Sequence, residues 1–212
     1  MKYTISIKRQ EFQDYTYESD GEESVATMLE RLNGTLTDPI SWQCSCMQKK
    51  CGACAMVING RPRLACNTFL KDLGPRIKLE PLSKFPVVKD LTVDRGYIFD
   101  MMKKQQIWLE DNDLNVTDHA SQRFAAASCL MCGCCLEVCP NFSVTLNHIG
   151  AIGTVAGYRT EAAERDQSAR AAKKQAYQHN VYNTCGKSLS CMDICPMQLP
   201  VEELMVRLNK GK

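Results

Sequence analysis

The sequence predicts an α+β protein with two cofactor-binding domains, a strand-rich domain followed by a helical one. Three observations lead to this prediction. The N-terminal part alternates apolar and polar residues as strands do, the C-terminal half shows helical spacing, and the 13 cysteines fall into two zones, residues 44–66 and 129–195. Since the residues between the two zones contain no cysteine, we expect the domains to span residues 1–94 and 95–212.

The N-terminal elements follow from period-two alternation interrupted by one helical segment. Residues 3–9 and 12–18 predict a hairpin that turns at Gln10–Glu11. Residues 22–34 place apolar side chains at helical spacing and end at Gly34, a residue common just beyond a helix. Residues 55–58 and 63–66 predict two strands around an Asn59–Gly60 turn, and residues 77–82 predict a last strand. Strands, one helix and a cysteine loop in this order are typical of a small ferredoxin-like α+β domain, the β-grasp type.

The C-terminal elements are predicted to be helices. Residues 85–96, which begin with Phe85-Pro86 and end at Gly96, are interpreted as a connector. Residues 97–110 place five side chains near one helical face, namely Ile98, Met101, Met102, Gln105 and Leu109. Residues 121–139 are alanine-rich, and residues 201–210 predict a closing helix. Residues 160–180 predict one charged, solvated helix in which Glu161/Arg165 and Asp166/Arg170 pair at i,i+4.

Composition excludes several classes of function. The 26 Lys and Arg residues nearly balance the 24 Asp and Glu residues, so we expect no binding to nucleic acid through bulk charge. The sequence has no apolar run of about 18 residues and no apolar signal-peptide core, so we expect no membrane span in this chain. An odd number of densely spaced cysteines indicates metal binding in a reducing compartment rather than a disulfide framework.

The first cysteine zone has the spacing of a plant-type [2Fe–2S] loop. Its predicted ligands are Cys46, Cys51, Cys54 and Cys66, in the pattern C-x4-C-x2-C followed by a distant fourth cysteine. Cys44 competes for the first position but gives six residues rather than four before Cys51, so we interpret it as a spare thiol. A zinc site is the alternative, although zinc usually takes two CxxC pairs and only one is present here.

The second zone contains two motifs that both end in Cys-Pro. The run Cys129-x2-Cys132-x2-Cys135-x3-Cys139-Pro140 is the bacterial ferredoxin pattern, in which the fourth cysteine serves another cluster. We therefore expect a [4Fe–4S] cluster on Cys129, Cys132, Cys135 and Cys195. The second site keeps three thiolates, Cys139, Cys185 and Cys191, because Ser188 stands opposite Cys132, and three thiolates favour a [3Fe–4S] cluster. Cys134 breaks the spacing, so we expect a small buried residue beside the cluster.

No nucleophile triad, GxGxxG motif or Walker loop is visible, and the three histidines are scattered. His119, His148 and His179 are each expected to be structural or exposed rather than ligands. Eleven candidate ligands without a catalytic motif indicate a subunit that transfers electrons and performs no substrate chemistry. A flavin or nucleotide is then expected on a partner.

The order of these motifs resembles the iron–sulfur subunit of succinate dehydrogenase and fumarate reductase. The likeness spans essentially the whole chain and is carried by DPISWQCSC, CGACAMVING, LAC, CLMCGCC and CMDICP. It implies a plant-type ferredoxin domain followed by an all-helical two-cluster ferredoxin-like domain. It also implies an FAD-containing flavoprotein partner, one or more quinone-binding membrane anchor subunits, and a peripheral location on the cytoplasmic face of the cell membrane. The alternative is the same three-cluster subunit serving another flavoprotein reductase without a quinone-binding anchor.

The chain departs from the family pattern in two places. Met47-Gln48-Lys49-Lys50 replaces the usual Arg-Glu-Gly and aliphatic residue of the first loop, so two lysines stand beside a predicted anionic cluster. Asn141-Phe142-Ser143-Val144 follows Cys139-Pro140 where ubiquinone-linked relatives have tryptophan, and Gly186 stands where they have histidine. These differences leave a menaquinone-type or quinone-free acceptor open.

Overall fold

The computed structural model describes residues 1–110, 120–161 and 163–210. These residues form two compact units: residues 1–94 together with 132–137, and residues 95–131 together with 138–212. The strands are β1 (Lys2–Lys8), β2 (Phe12–Glu18), β3 (Ala55–Ile58), β4 (Arg61–Leu64), β5 (Arg76–Glu80), β6 (Val87–Lys89) and β7 (Thr92–Val93). The helices are α1 (Val25–Asn33), α2 (Gly96–Lys104), α3 (Ala120–Ala127), α4 (Cys134–Glu137), α5 (Gly150–Glu161), α6 (Gln167–Tyr177), α7 (Ser190–Ile194) and α8 (Val201–Asn209).

The first unit is built on a five-stranded mixed sheet in the order β2-β1-β5-β3-β4. The predicted hairpin is confirmed, since β1 pairs antiparallel with β2 from Lys2–Glu18 to Lys8–Phe12. β5 pairs parallel with β1 and antiparallel with β3, so it is the central strand of the sheet. The mixed α and β class predicted for the chain is therefore confirmed.

Helix α1 packs its apolar face into this unit. Ser24 caps its N-terminus by accepting a hydrogen bond from the Thr27 backbone N–H at 3.2 Å. The helix ends at Asn33, with Gly34 just beyond it as predicted, and four of its apolar residues are fully buried, namely Val25, Ala26, Met28 and Leu29. Burial removes this apolar surface from water, which is the main favourable term in folding.

Two strand predictions for this unit were wrong in detail. β4 begins at Arg61 and ends at Leu64, and the chain then turns through a 3-10 segment, Ala65–Asn67, so Cys66 lies in a turn rather than a strand. Pro62 is tolerated in β4 because this strand lies at the sheet edge, where a missing N–H costs no ladder bond. The predicted connector contains a small antiparallel pair, β6 and β7.

Residues 132–137 belong to the first unit although they lie in the second cysteine zone. The Glu137 carboxylate accepts hydrogen bonds from the backbone N–H groups of Ser83 and Lys84 at 2.9 and 3.1 Å. Gly133 has φ +90°, and a Cβ placed there would lie 3.2 Å from the Phe85 ring. A larger residue is therefore disfavoured at Gly133 both by its backbone conformation and by space.

The second unit is helical and centres on α5. Every residue of α5 from Gly150 to Tyr158 is buried, and the helix contacts α2, α3, α6 and α8. Glycines at 153 and 157 leave room for the buried Gln105 side chain, whose Nε2 donates to the Gly153 carbonyl at 2.7 Å. Residues 150–159 of α5 lie outside the helical segments read from the sequence, because three glycines and no amphipathic stripe obscure a helix that is buried from Gly150 to Tyr158.

The charged segment 160–180 is not one helix. α5 ends at Glu161, and α6 starts after Asp166, whose carboxylate caps it by accepting the Ala169 N–H at 2.7 Å. Arg170 pairs with Glu161 at 2.6 Å instead of with Asp166, and Lys173 is buried rather than solvated. Helix α2 likewise ends earlier than predicted, at Lys104, so Leu109 lies beyond it.

Within the described ranges no helix combines the length and the apolar character that crossing a membrane requires.

Candidate iron–sulfur centres

The loop between α1 and β3 carries Cys46, Cys51 and Cys54, and the turn after β4 carries Cys66. The Cys46 sulfur accepts backbone N–H groups from Gln48 at 3.3 Å and from Lys50 at 3.2 Å, and the Cys66 sulfur accepts that of Lys49 at 3.3 Å. The Cys66 N–H in turn points at the Cys54 sulfur at 3.5 Å. Amides directed at sulfur from a local loop are the surroundings that a thiolate-bound cluster requires.

The loop achieves this through residues with positive φ. Met47 and Lys49 adopt φ values of 54° and 57°, and Gly52 adopts 74°. Left-handed residues turn consecutive N–H groups towards one side of the chain, forming a concavity that favours anions. Gly52 reaches this conformation without a Cβ penalty.

The electrostatics of two predicted ligands, Cys46 and Cys54, differ. The backbone N–H groups of Gln48 and Lys50 lower the pKa of Cys46 to about 7, because they stabilise its thiolate. Burial raises the pKa of Cys54 to about 12, because the thiolate would lose hydration there. The loop therefore favours a thiolate at its exposed end, whereas Cys54 needs a cation to hold its charge.

Cys44 is a fifth thiol beside the same loop. It is half-buried, and its sulfur lies 3.0 Å from the Met47 sulfur. Burial raises the pKa of Cys44, and the nearby Cys66 and Cys51 thiols raise it further. Its interpretation as a spare thiol stays a prediction, as do the four ligand assignments.

In the second unit, three predicted ligands line one pocket. The pocket is small, with a cavity volume of about 20 Å³. Its polar and sulfur-bearing lining residues are Cys139, Asn141, His148, Cys185, Lys187, Ser188, Cys191 and Met205. Burial raises the pKa of Cys191, and Cys139 and Cys185 raise it further, so the three thiols are close enough to interact.

The backbone beside this pocket also contains residues with positive φ, and one of its N–H groups points at a cysteine sulfur. Lys187 and Leu189 have φ values of 55° and 57°, and the Lys187 N–H donates to the Cys185 sulfur at 3.4 Å. Ser188 lies between these two residues, is exposed, and lines the pocket with the three cysteines. The side chain that stands opposite Cys132 in the motif alignment thus faces the same space as the three thiols.

Asn141 and Gly186 are neighbours in this pocket. A Cβ at Gly186 would lie 2.8 Å from Asn141 Oδ1, so a side chain at 186 requires Asn141 to move.

The remaining predicted ligands are divided between the units. Cys132 and Cys135 belong to the first unit, and Cys129 and Cys195 to the second. Cys134 is fully buried, as predicted. In the part of the chain that the structure describes, no three Cys, His, Asp or Glu side chains converge on one point to hold a single metal ion.

Two of the three histidines lie within the described residues. His179 is exposed, whereas His148 is buried, and burial lowers its pKa. His148 Nε2 lies 3.6 Å from the Cys139 sulfur, and Nδ1 lies 2.6 Å from Thr184 Oγ1. Sequence spacing carries no signal for this contact, because a lone histidine nine residues from a cysteine matches no ligand motif. His119 lies outside the described residues.

Comparison with known proteins defines the class first. Residues 1–100 match the family model described as a 2Fe-2S iron-sulfur cluster binding domain. Together with the thiol-lined loop at Cys46–Cys66, this match indicates an iron–sulfur oxidoreductase component.

Relatives over the whole chain then define the family. The chain is 31% identical over 192 residues to the succinate dehydrogenase iron-sulfur subunit of Bacillus subtilis strain 168, covering 84% of this chain and 74% of that protein. It is 28% identical over 221 residues to the fumarate reductase iron-sulfur subunit of Wolinella succinogenes, covering 97% and 91%. The chain belongs to the family of succinate dehydrogenase and fumarate reductase iron–sulfur subunits, as its motifs predicted.

A solved structure shows the same fold. It is that of the Mycobacterium smegmatis Sdh1 complex in the apo form, with a TM-score of 0.71 and 19% sequence identity. The match covers 98% of this chain and 95% of that one.

Proposed function

We propose that this chain is the electron-transfer subunit of a fumarate reductase or succinate dehydrogenase complex. Its residues would hold [2Fe–2S] on Cys46, Cys51, Cys54 and Cys66, and [4Fe–4S] on Cys129, Cys132, Cys135 and Cys195. Cys139, Cys185 and Cys191 would hold [3Fe–4S]. The observation that carries the proposal is the pocket that three thiols share with Ser188, because three thiolates and no fourth are what a three-iron cluster needs.

The residues around the candidate ligands fit such cofactors. The donors are thiols alone, and backbone N–H groups of Lys49, Lys50 and Lys187 point at ligand sulfurs. When bound, the clusters supply one-electron carriers between a flavin and a final acceptor. The chain's own part is to hold them, to exclude water from Cys54, and to set their potentials through hydrogen bonds.

The partners follow from the same proposal. An FAD-containing flavoprotein would interconvert succinate and fumarate, and one or more membrane anchor subunits would bind quinone. The chain itself would be non-catalytic and peripheral, on the cytoplasmic face of the cell membrane. Its two parts would be a plant-type ferredoxin domain and an all-helical two-cluster ferredoxin-like domain.

Iron and sulfide content tests the cluster assignment. Anaerobically purified complex should contain about 9 irons and about 10 sulfides in this subunit, from clusters of two, four and three irons. The oxidised complex should show the electron paramagnetic resonance (EPR) signal of a three-iron cluster. A fully loaded complex without that signal would contradict the three-iron assignment.

Replacing Ser188 sharpens the same test. Ser188→Cys adds a thiolate to the pocket, so we expect about 10 irons with about 10 sulfides, loss of the three-iron signal, and a lower potential for that cluster. Ser188→Ala is the matched control and should leave iron content and signal unchanged. A loss of iron in the alanine variant would instead indicate that the serine oxygen is a ligand.

A second candidate function is favoured by residues 141–144 and by Gly186, which lack the tryptophan and the histidine of ubiquinone-linked relatives. The same three-cluster subunit would then serve another flavoprotein reductase without a quinone-binding anchor. Anaerobic copurification separates the two, because a membrane anchor accompanies the chain only in the first. Identification of the copurified flavoprotein's substrate decides the reaction.

A further inference from the structure

His148 is a buried polar residue that no cluster assignment uses. Only 1% of its surface is exposed, and it lies just before α5 in the second unit. Both ring nitrogens have polar or sulfur neighbours: Nε2 faces the Cys139 sulfur at 3.6 Å, and Nδ1 faces Thr184 Oγ1 at 2.6 Å. The ring therefore bridges a predicted cluster ligand and a threonine hydroxyl.

The proton positions in this bridge follow from the acceptor. A cluster-bound cysteine sulfur is a thiolate and can only accept, so Nε2 must carry the proton that points at Cys139. In the neutral ring, Nδ1 then accepts the Thr184 hydroxyl. That hydroxyl has a second acceptor within reach, the Val181 carbonyl at 3.2 Å, but the 2.6 Å contact to the ring is shorter. Thr184 thus fixes both the tautomer and the orientation of the ring.

A hydrogen bond to the Cys139 sulfur acts mainly on the reduction of the cluster that this sulfur would bind. Reduction adds negative charge that spreads onto the ligand sulfurs, so a donor there stabilises the reduced state more than the oxidised one. Burial of the ring strengthens the interaction, because little water screens it. The donor therefore raises the midpoint potential of the cluster that Cys139 ligates.

We propose that His148, held by Thr184, is a positioning residue that raises the midpoint potential of the [3Fe–4S] cluster through a hydrogen bond to the Cys139 thiolate. This inference rests on the proposed three-iron cluster. His148 is not one of its ligands, and no proton transfer is involved.

The test is a redox titration of the intact complex, followed through the EPR signal of the oxidised three-iron cluster. His148→Leu should shift the midpoint to lower potential, whereas His148→Gln, whose amide can still donate, should restore most of the wild-type value. Thr184→Val should give a smaller shift in the same direction, and Thr184→Ser should give none. His179→Gln, at an exposed histidine of the same unit, is the control and should not shift the midpoint.

The outcomes are separable. A wild-type complex without a three-iron signal contradicts the proposed function itself. A wild-type signal with equal midpoints in wild type, His148→Leu and His148→Gln overturns the role of His148 alone. If His148→Leu fails to retain the cluster, Thr184→Val decides, since it keeps the ring, and an unchanged midpoint in that variant overturns the inference. The midpoints of the other two clusters should not change in any variant.

Discussion

Lys49 and Lys50 lie in the loop between α1 and β3, and their main chain contacts the sulfurs of two predicted ligands. Their N–H groups donate to the sulfurs of Cys66 and Cys46, so any residue other than proline supplies these two hydrogen bonds. The side-chain charges are a separate contribution. Lys50 is exposed and Lys49 is half-buried, so solvent screens both ammonium groups in part.

Changing both lysines to glutamate isolates the charge. Lys49→Glu with Lys50→Glu keeps the two amide donors and replaces two positive charges by two negative ones near an anionic cluster. We expect the [2Fe–2S] midpoint to fall by tens of millivolts, where about 59 mV is a tenfold change for one electron. EPR-monitored titration of the reduced two-iron signal measures this, and the shift should shrink at high salt.

The control is the double arginine variant, Lys49→Arg with Lys50→Arg, which keeps both charges and should keep the midpoint. An unchanged midpoint in the double glutamate variant would show that both side chains are fully screened.

At this scale, sequence spacing predicts candidate ligands but not what surrounds them. Cys46, Cys51 and Cys54 are recognisable because a short loop fixes their distances from one another. The contact of His148 with Cys139 depends on how the chain between them turns, and Thr184 is 36 residues from His148. Such a contact leaves no periodic or motif signal, so only the fold reveals it.

Among the elements, those with regular amphipathic patterns were predicted and the others were not. β1, β2, α1 and α8 follow from period-two or helical spacing. Helix α5 was missed because it is buried on all sides, and the break between α5 and α6 was missed because Asp166 reads equally well as a helix-interior residue or as a cap. The turn at Ala65–Asn67 was read as strand because β-sheet pairing, not local sequence, ends β4 at Leu64.

The break between α5 and α6 contains a buried ion pair. Glu164 accepts backbone N–H groups from Glu110, Arg165 and Asp166, and its Oε2 lies 3.0 Å from Lys173 Nζ. Burial alone would raise the pKa of Glu164, but these hydrogen bonds and Lys173 outweigh it and leave the pKa below its ordinary value. The carboxylate therefore stabilises the fold above the ordinary glutamate pKa, and this contribution is lost as the pH falls towards the lowered pKa.

Glu164→Gln should destabilise the second unit at neutral pH by about 3–5 kcal/mol, because it leaves Lys173 buried without its partner charge. The difference from wild type should shrink below about pH 4.3, where the wild-type carboxylate itself becomes protonated. Thermal unfolding followed by circular dichroism across this pH range measures both effects.

Combining Glu164→Gln with Lys173→Met removes both charges and should recover much of the lost stability. A loss that is independent of pH would contradict the role of the carboxylate.

A second carboxylate with backbone partners is that of Glu137, the last residue of helix α4. Glu137 binds the N–H groups of Ser83 and Lys84 within the first unit, so truncating it leaves two amides to find other acceptors. Glu137→Ala should cost about 1–3 kcal/mol and lower the thermal midpoint of the complex.

Glu137→Gln retains one acceptor oxygen and should lie between wild type and the alanine variant. Equal midpoints in all three proteins would show that the two amides are as well satisfied by water.

For the whole molecule, the sequence predicted the family and the mixed fold class because cysteine spacing and strand alternation are both local signals. The ligand assignments stay predictions, as do the domain boundaries drawn from the cysteine zones. The compact units follow packing instead, and packing includes residues 132–137 with the sheet. Leu82, Phe85 and Glu137 produce that grouping, and no composition or spacing rule joins residues so far apart.

This grouping has a consequence for the order of events during synthesis. Domains generally fold as units while the chain emerges, the N-terminal one first, at about 5–20 residues per second. Here the sheet is complete once Glu80 has emerged, but Gly133 and Glu137 close against Leu82–Phe85 only much later in translation. The packing of the N-terminal unit is therefore complete only after part of the second cysteine motif has been synthesised. A gene fragment that stops at residue 94 encodes the sheet without residues 132–137.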